Sequence, residues 1–166
     1  MKKIAVVLSG CGVYDGSEIH EATLTLLAIV KNGADYEVFA PDMFQYHVIN
    51  HLTGKEMNEK RNVLVESARI ARGKINPLSK FRTAGFDAII LPGGYGADKN
   101  LSTFAFDGSG MQIHPEVETA IKEMSRAGKP IGALCIAPVI LAKILPGVEV
   151  TIGRDKGTAD AIEKLG

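Results

Sequence analysis

The feature that most constrains this chain is an alternation of two periods. Short apolar runs, Ile4 to Leu8, Tyr36 to Ala40, Ala88 to Leu91 and Ile131 to Leu134, are separated by stretches with helical spacing. An apolar run without polar alternation is the pattern of a strand buried on both faces, and strand–helix–strand succession gives parallel strands through right-handed crossovers. The expected fold is therefore α/β, a three-layer sandwich around a mainly parallel sheet. With 166 residues, 46% of them hydrophobic, residues 1–166 suit a single packed domain.

The helical stretches can be placed. Ser17 is expected to cap a helix running to Asn32, with Ile19, Thr23, Leu26, Leu27 and Val30 facing inward. Asn62 caps a second helix, Val63 to Arg72, and Asn76-Pro77 opens a short third one. Residues 47–55 read as a hairpin outside the main sheet. Ala97 to Gln112 reads as a glycine-rich connection anchored by Phe104 and Phe106. A helix follows from Pro115 to Ala127 with Val117, Ile121 and Met124 inward, then one from Pro138 to Leu145. Val148 to Thr151 reads as a strand, and Thr158 to Leu165 as an amphipathic helix.

Composition narrows the function classes. Lys and Arg total 19, Asp and Glu 19, so the net charge is zero. That argues against a nucleic-acid partner and against an anionic membrane surface. No stretch has the length of a membrane span, and the apolar run after Lys2-Lys3 is too short for a signal peptide. Two cysteines make no disulfide framework and have no metal-ligand spacing, so no metal is expected. Free thiols point to a reducing, cytoplasmic setting.

Gly132-Ala133-Leu134-Cys135-Ile136-Ala137-Pro138 is the strongest chemical signal. A cysteine where a strand turns directly into a helix forms a nucleophile elbow, which needs small neighbours such as Gly132 and Ala137. A helix start lowers a thiol's pKa. The plain alternative is a packed, inert cysteine; the turn favours the reactive reading. Pro92-Gly93-Gly94, after another strand, offers backbone N–H groups for an oxyanion, with Gly93, Gly94 and Ile136 as the candidates. Glu18 follows the first strand at the same sheet edge. Beside a thiolate its carboxyl would be pushed up and could shuttle protons; the alternative is a helix-start residue complementing the dipole. His20, Cys11 and Asn100 are supporting candidates, although Cys11 reads more readily as a small filler than as a second exposed thiol. Gly10 to Gly16 has one residue too many for a dinucleotide fingerprint, so no cofactor is expected. His47 and His51 read as surface residues.

Gly16-Ser17-Glu18, Leu91-Pro92-Gly93-Gly94 and Ala133 to Pro138 together resemble the PfpI-like superfamily. This superfamily includes the Parkinson-associated deglycase and shares the flavodoxin-like, class I glutamine amidotransferase-like fold. Ser9 to Glu21 and Leu91 to Leu101 are more closely similar to the ElbB subgroup, described as glyoxalases or as isoprenoid-biosynthesis proteins. The resemblance implies Cys135 as nucleophile and Glu18 as its carboxyl partner. It further implies cofactor-independent conversion of a small 2-oxoaldehyde, glyoxal or methylglyoxal, to a 2-hydroxy acid. A redox-sensing cysteine protein and an amidotransferase-like accessory of isoprenoid biosynthesis are the alternatives. Many superfamily members carry a histidine where this chain has Gly153-Arg154-Asp155, so a Cys-His-Glu triad does not assemble from matched positions. They also continue with further strand and helix, so a C-terminal strand and helix are expected beyond Gly166. By the same resemblance the protein is expected to be a homodimer, with the 47–55 hairpin as candidate contact.

Overall fold

The computed structural model describes residues 1–166. The chain runs through β1 (Lys3–Val7), α1 (Ile19–Lys31), β2 (Asp35–Ala40), the hairpin β3 (Ile49–Asn50) and β4 (Lys55–Glu56), and α2 (Val63–Ile70). It continues with β5 (Ile75–Pro77), β6 (Ala88–Leu91), α3 (Gly96–Lys99), α4 (Phe104–Asp107), α5 (Pro115–Arg126), β7 (Ile131–Ala133), α6 (Pro138–Ile144) and α7 (Lys156–Glu163). Five strands form one sheet in the order β5-β2-β1-β6-β7, with every pairing parallel. The order reverses between β1 and β6, which makes their carboxyl ends the crevice where ligands bind in such sheets.

Successive side chains of a strand point to opposite faces, so each strand feeds two cores. Val6, Leu8 and Val38 pack with Ala22, Leu26 and Ile29 of α1 on one side. Ala5, Val7, Phe39, Ile89 and Leu91 join Val117, Ile121 and Met124 of α5 and Val139 and Ile140 of α6 on the other. Phe39 meets Phe81 and Phe86 edge-on, at 5.6 and 5.4 Å between ring centres. Such pairs add to burial because ring edges and faces carry opposite partial charge. No helix is long and apolar enough to cross a membrane.

Several sequence expectations need correction. Glu18, not Ser17, caps α1: its side chain accepts the Glu21 N–H, while buried Ser17 turns its hydroxyl to the Ser9 N–H at 2.8 Å. The inner face of α1 is accordingly Ala22, Thr25, Leu26 and Ile29, where small residues let the helix approach the sheet. Ile19, Leu24, Leu27 and Val30 lie exposed instead. Asn76-Pro77 does not open a helix. It ends β5, an edge strand where proline's missing N–H costs nothing, and the 3₁₀ turn begins at Leu78. Val148 to Thr151 joins no ladder, so β7 remains the sheet edge. The connection 97–112 contains α4 and part of α3, with Phe104 packed on the core and Phe106 tilted against the Tyr46 ring at 4.1 Å between centres.

Candidate functional site

Cys135 sits between the end of β7 and the start of α6, with φ of 55°. This left-handed conformation is costly for a residue with a side chain and is held by the surroundings. Leu134 N–H donates to the Leu91 carbonyl, and Ala137 N–H to the Leu134 carbonyl. Ala137 is fully buried, whereas Gly132 lies within β7, where a side chain would press on Ile90 of the neighbouring strand, so it is small for strand packing rather than for the turn. The strain projects the thiol outward, and Cys135 is exposed. It lines a cavity of about 930 Å³ together with Gly94, Tyr95, Asp98, Phe104, Ile136 and residues 151–153.

The glycines after β6 divide their work. Gly93 N–H donates to Glu21 Oε2 at 2.9 Å, and Gly93 carbonyl accepts the Glu18 N–H at 2.9 Å. A methyl group at Gly93 would lie 2.6 Å from Glu21 Oε2 and 3.0 Å from Cys135 Sγ. Only glycine lets the carboxylate and the thiol close on the same point of backbone. Gly93 is thus a spacer whose N–H is already used, not an oxyanion donor as expected. Gly94 (φ 98°) and Ile136 line the cavity, and their N–H groups donate to no acceptor in the protein.

Glu18 is not the carboxyl beside the thiol. Its Oε2 accepts the Glu21 N–H at 2.7 Å and its Oε1 pairs with His20 Nδ1 at 2.9 Å. Burial works against its charge, but the Glu21 N–H and the His20 ring outweigh it, and the carboxyl lies below its ordinary range. The expectation of a raised, protonated Glu18 is therefore wrong. Glu21, one helical turn on, is the group the sequence reading missed. An acidic residue three positions after a helix cap was its signal, because that spacing puts both side chains at the helix start. The usual partner of such a residue is the cap's own N–H. Here that N–H is taken by Gly93, and Glu21 turns to Gly93 N–H.

The remaining candidates are structural. Asn100 is buried and donates to the Ser9 and Asp15 carbonyls while accepting the Tyr46 N–H, each at 2.9 Å. It ties the loop after β1 to two other segments. Cys11 is half-buried, and burial foremost, then Glu66, pushes its thiol up, which suits a filler. His20 is exposed and serves Glu18. His51 accepts the Tyr14 N–H at 3.2 Å on Nε2, leaving Nδ1 to donate to the Ile49 carbonyl; neither His47 nor His51 lines the cavity. Asp98, also missed, is buried in the wall of that cavity.

Residues 3–154 match the DJ-1/PfpI family, and the chain belongs to that family. It is 55% identical to the mitochondrial glutamine amidotransferase-like class 1 domain-containing protein 3 of Homo sapiens over 99% of this chain and 65% of that protein. It is 43% identical to the mitochondrial ES1 protein of Danio rerio over 92% of this chain and 58% of that protein. The chain thus spans less than two thirds of these relatives' length. The crystal structure of an isoprenoid biosynthesis protein with amidotransferase-like domain from Ehrlichia chaffeensis superposes with a TM-score of 0.89 at 41% identity, covering 99% of this chain and 76% of that one. The fold is the flavodoxin-like, class I glutamine amidotransferase-like α/β sandwich. The expected cytoplasmic setting is overturned, since the human, rat and zebrafish relatives are all named as mitochondrial proteins.

Proposed function

We propose that the protein is a cofactor-independent glyoxalase-type enzyme that uses Cys135 as nucleophile and Glu21 as proton shuttle on a 2-oxoaldehyde. The observation that carries this reading is the convergence of an exposed, strained thiol and a half-buried carboxylate on Gly93, next to two N–H groups without acceptors.

The Cys135 thiolate adds to the aldehyde carbon, forming a C–S bond while the carbonyl π pair moves to oxygen. Gly94 and Ile136 N–H groups receive that oxyanion. Glu21 takes the hydrogen of the former aldehyde carbon as a proton, and the C–H pair becomes the carbon–carbon double bond of an enediolate. The ketone π pair moves to its oxygen, which takes up the proton the thiol released. Glu21 then returns its proton to that adjacent carbon as the first carbon's oxyanion re-forms a C=O. The first carbon is oxidised and its neighbour reduced, so no external redox partner enters. Water then hydrolyses the resulting thioester to the 2-hydroxy acid and frees the thiol.

Purified protein incubated with methylglyoxal, without glutathione, is expected to form lactate. Cys135→Ala and Glu21→Gln are expected to lose this activity. Equal inactivity of wild type and both variants sinks the reading. The exposure of Cys135 also favours a second reading, a peroxide-oxidised cysteine. Mass spectrometry after mild peroxide separates the two: selective Cys135 oxidation with negligible turnover supports the sensor.

A further inference from the structure

Asp98 is only 5% exposed, and its Oδ1 is buried with no hydrogen-bond partner. A buried carboxylate oxygen left unpaired is expensive, and such groups in folded proteins usually await a partner. Lys99, its sequence neighbour, does not supply one: its Nζ donates to the Tyr14 carbonyl at 2.9 Å and lies 5.4 Å over the Tyr95 ring. Asp98 lines the Cys135 cavity and also an adjoining one of about 540 Å³, in which Tyr14, Tyr95 and Lys99 take part. Tyr95, Asp98 and Ala105 border both, so Asp98 stands at their junction. Burial pushes its carboxyl up to about 6, with Lys99 opposing.

We infer that Asp98 anchors the substrate, and that the cavity takes a 2-oxoaldehyde bearing hydroxyl groups beyond its reacting carbonyls rather than a bare three-carbon compound. This rests on the glyoxalase-type reading above. The volume near Cys135, about 930 Å³, lies at the upper end of pockets that enclose metabolite- or drug-sized ligands, roughly 300–1,000 Å³. A bare three-carbon aldehyde leaves most of it empty and Asp98 unpaired. A hydroxyl donor reaching Asp98 satisfies the orphan oxygen. A cationic donor is disfavoured because Lys99 already lies over Tyr95 at the same junction. Tyr14 and Tyr95, stacked at 6.5 Å, border the adjoining cavity into which the far end of such a chain would extend.

The test compares methylglyoxal with 3-deoxyglucosone, a six-carbon 2-oxoaldehyde with three hydroxyl groups, in wild type, Asp98→Ala and Asp98→Asn. In wild type the kcat/KM for 3-deoxyglucosone is expected to exceed that for methylglyoxal. In Asp98→Ala the ratio of the two is expected to fall about ten-fold or more, the scale for losing a hydrogen bond to a charged group. A merely structural Asp98 moves both constants together, and an unchanged ratio overturns the inference. If Asp98→Ala does not fold, the near-isosteric but acceptor-free Asp98→Leu is read in the same way, with Asp98→Asn, which keeps an oxygen acceptor, expected to lose less. If wild type converts neither compound, the reaction is wrong but the anchor is still tested by calorimetric binding of 3-deoxyglucosone to Cys135→Ala. Binding at least ten-fold weaker when Asp98→Ala is added supports the anchor; equal binding overturns it.

Discussion

Glu21 Oε2 accepts the Gly93 N–H at 2.9 Å, and this bond decides which of two neighbouring acids belongs to the candidate site. Glu21→Gln keeps the shape of the side chain and an oxygen for Gly93 but removes the proton acceptor. The expected loss in kcat is about 10²-fold or more, the usual scale for a general acid–base group. Glu18→Gln is expected to leave kcat within about three-fold. Steady-state kinetics of the two variants side by side checks this, and a Glu18→Gln defect as large as that of Glu21→Gln refutes the assignment.

Glu18 has its effect on stability instead. Its carboxyl is held below the ordinary value of 4.5 in the folded chain. A lowered folded pKa gives stability that is present above the unfolded value and is lost as pH falls through the folded one. Glu18→Ala is expected to cost about 1 kcal/mol at pH 7, as for a lost helix cap, with the difference from wild type shrinking below pH 4.5. Urea unfolding across pH measures it.

The strain at Cys135 is separable from its chemistry. At φ 55° a residue with a Cβ pays about 1–2 kcal/mol that glycine avoids, offset in part by glycine's greater chain entropy. Cys135→Gly is expected to be more stable than Cys135→Ala by up to about 1 kcal/mol, with both unreactive to alkylating agents at this position. Equal denaturant midpoints for the two variants would show that the backbone strain at the elbow is no larger than the chain-entropy cost of glycine.

The architecture was readable because buried parallel strands write themselves as apolar runs, and four of the five strands expected became β1, β2, β6 and β7, while Val148 to Thr151, which alternates instead of running apolar, did not. The short β5 escaped because it is three residues long and ends in Asn76-Pro77, which reads as the first turn of a helix. The elbow at Cys135 was readable because a strand runs directly into a proline-started helix there. The acid was misplaced by one helical turn. Ser17 is a better cap by propensity, which leaves Glu18, directly after it at the ligand edge, as the acid that stands out, while Glu21 has no separate signal beside it. The competing demand of the Ser9 N–H for the Ser17 hydroxyl is tertiary and leaves no local trace. Asp98 had no sequence signal, because its burial depends on segments far apart in the chain.

Asn100 bridges three segments through one amide. Asn100→Ala leaves the Ser9 and Asp15 carbonyls and the Tyr46 N–H without their partner, all at a buried junction. A cost of about 2–4 kcal/mol is expected, several unpaired buried groups at roughly 1 kcal/mol or more each. Hydrogen exchange at residues 9–17 is expected to accelerate more than in α5, because the loop loses its tie while the far core is untouched. Uniform acceleration across the chain would instead mean that Asn100 supports the whole fold.

Asp98 sets a pH dependence of opposite sign to that of Glu18. Burial first, against the opposing charge of Lys99, raises its carboxyl from 3.8 to about 6 in the folded chain. Tyr14, Tyr95, Cys135 and Asp155 are the other titratable groups around the two cavities, and only Lys99 carries a positive charge there. Between the two values the folded state holds more protons than the unfolded one, so Asp98 lowers stability progressively as pH rises from about 4 to 6. Above that window the cost is complete, roughly 2–3 kcal/mol at 1.36 kcal/mol per unit. Asp98→Asn removes the ionisation, so it is expected to be more stable than wild type at pH 7 and to converge with it near pH 4. Urea midpoints at pH 4, 5, 6 and 7 measure the difference. A variant less stable than wild type at pH 7 would mean that the carboxylate is favourably paired within the ligand-free protein.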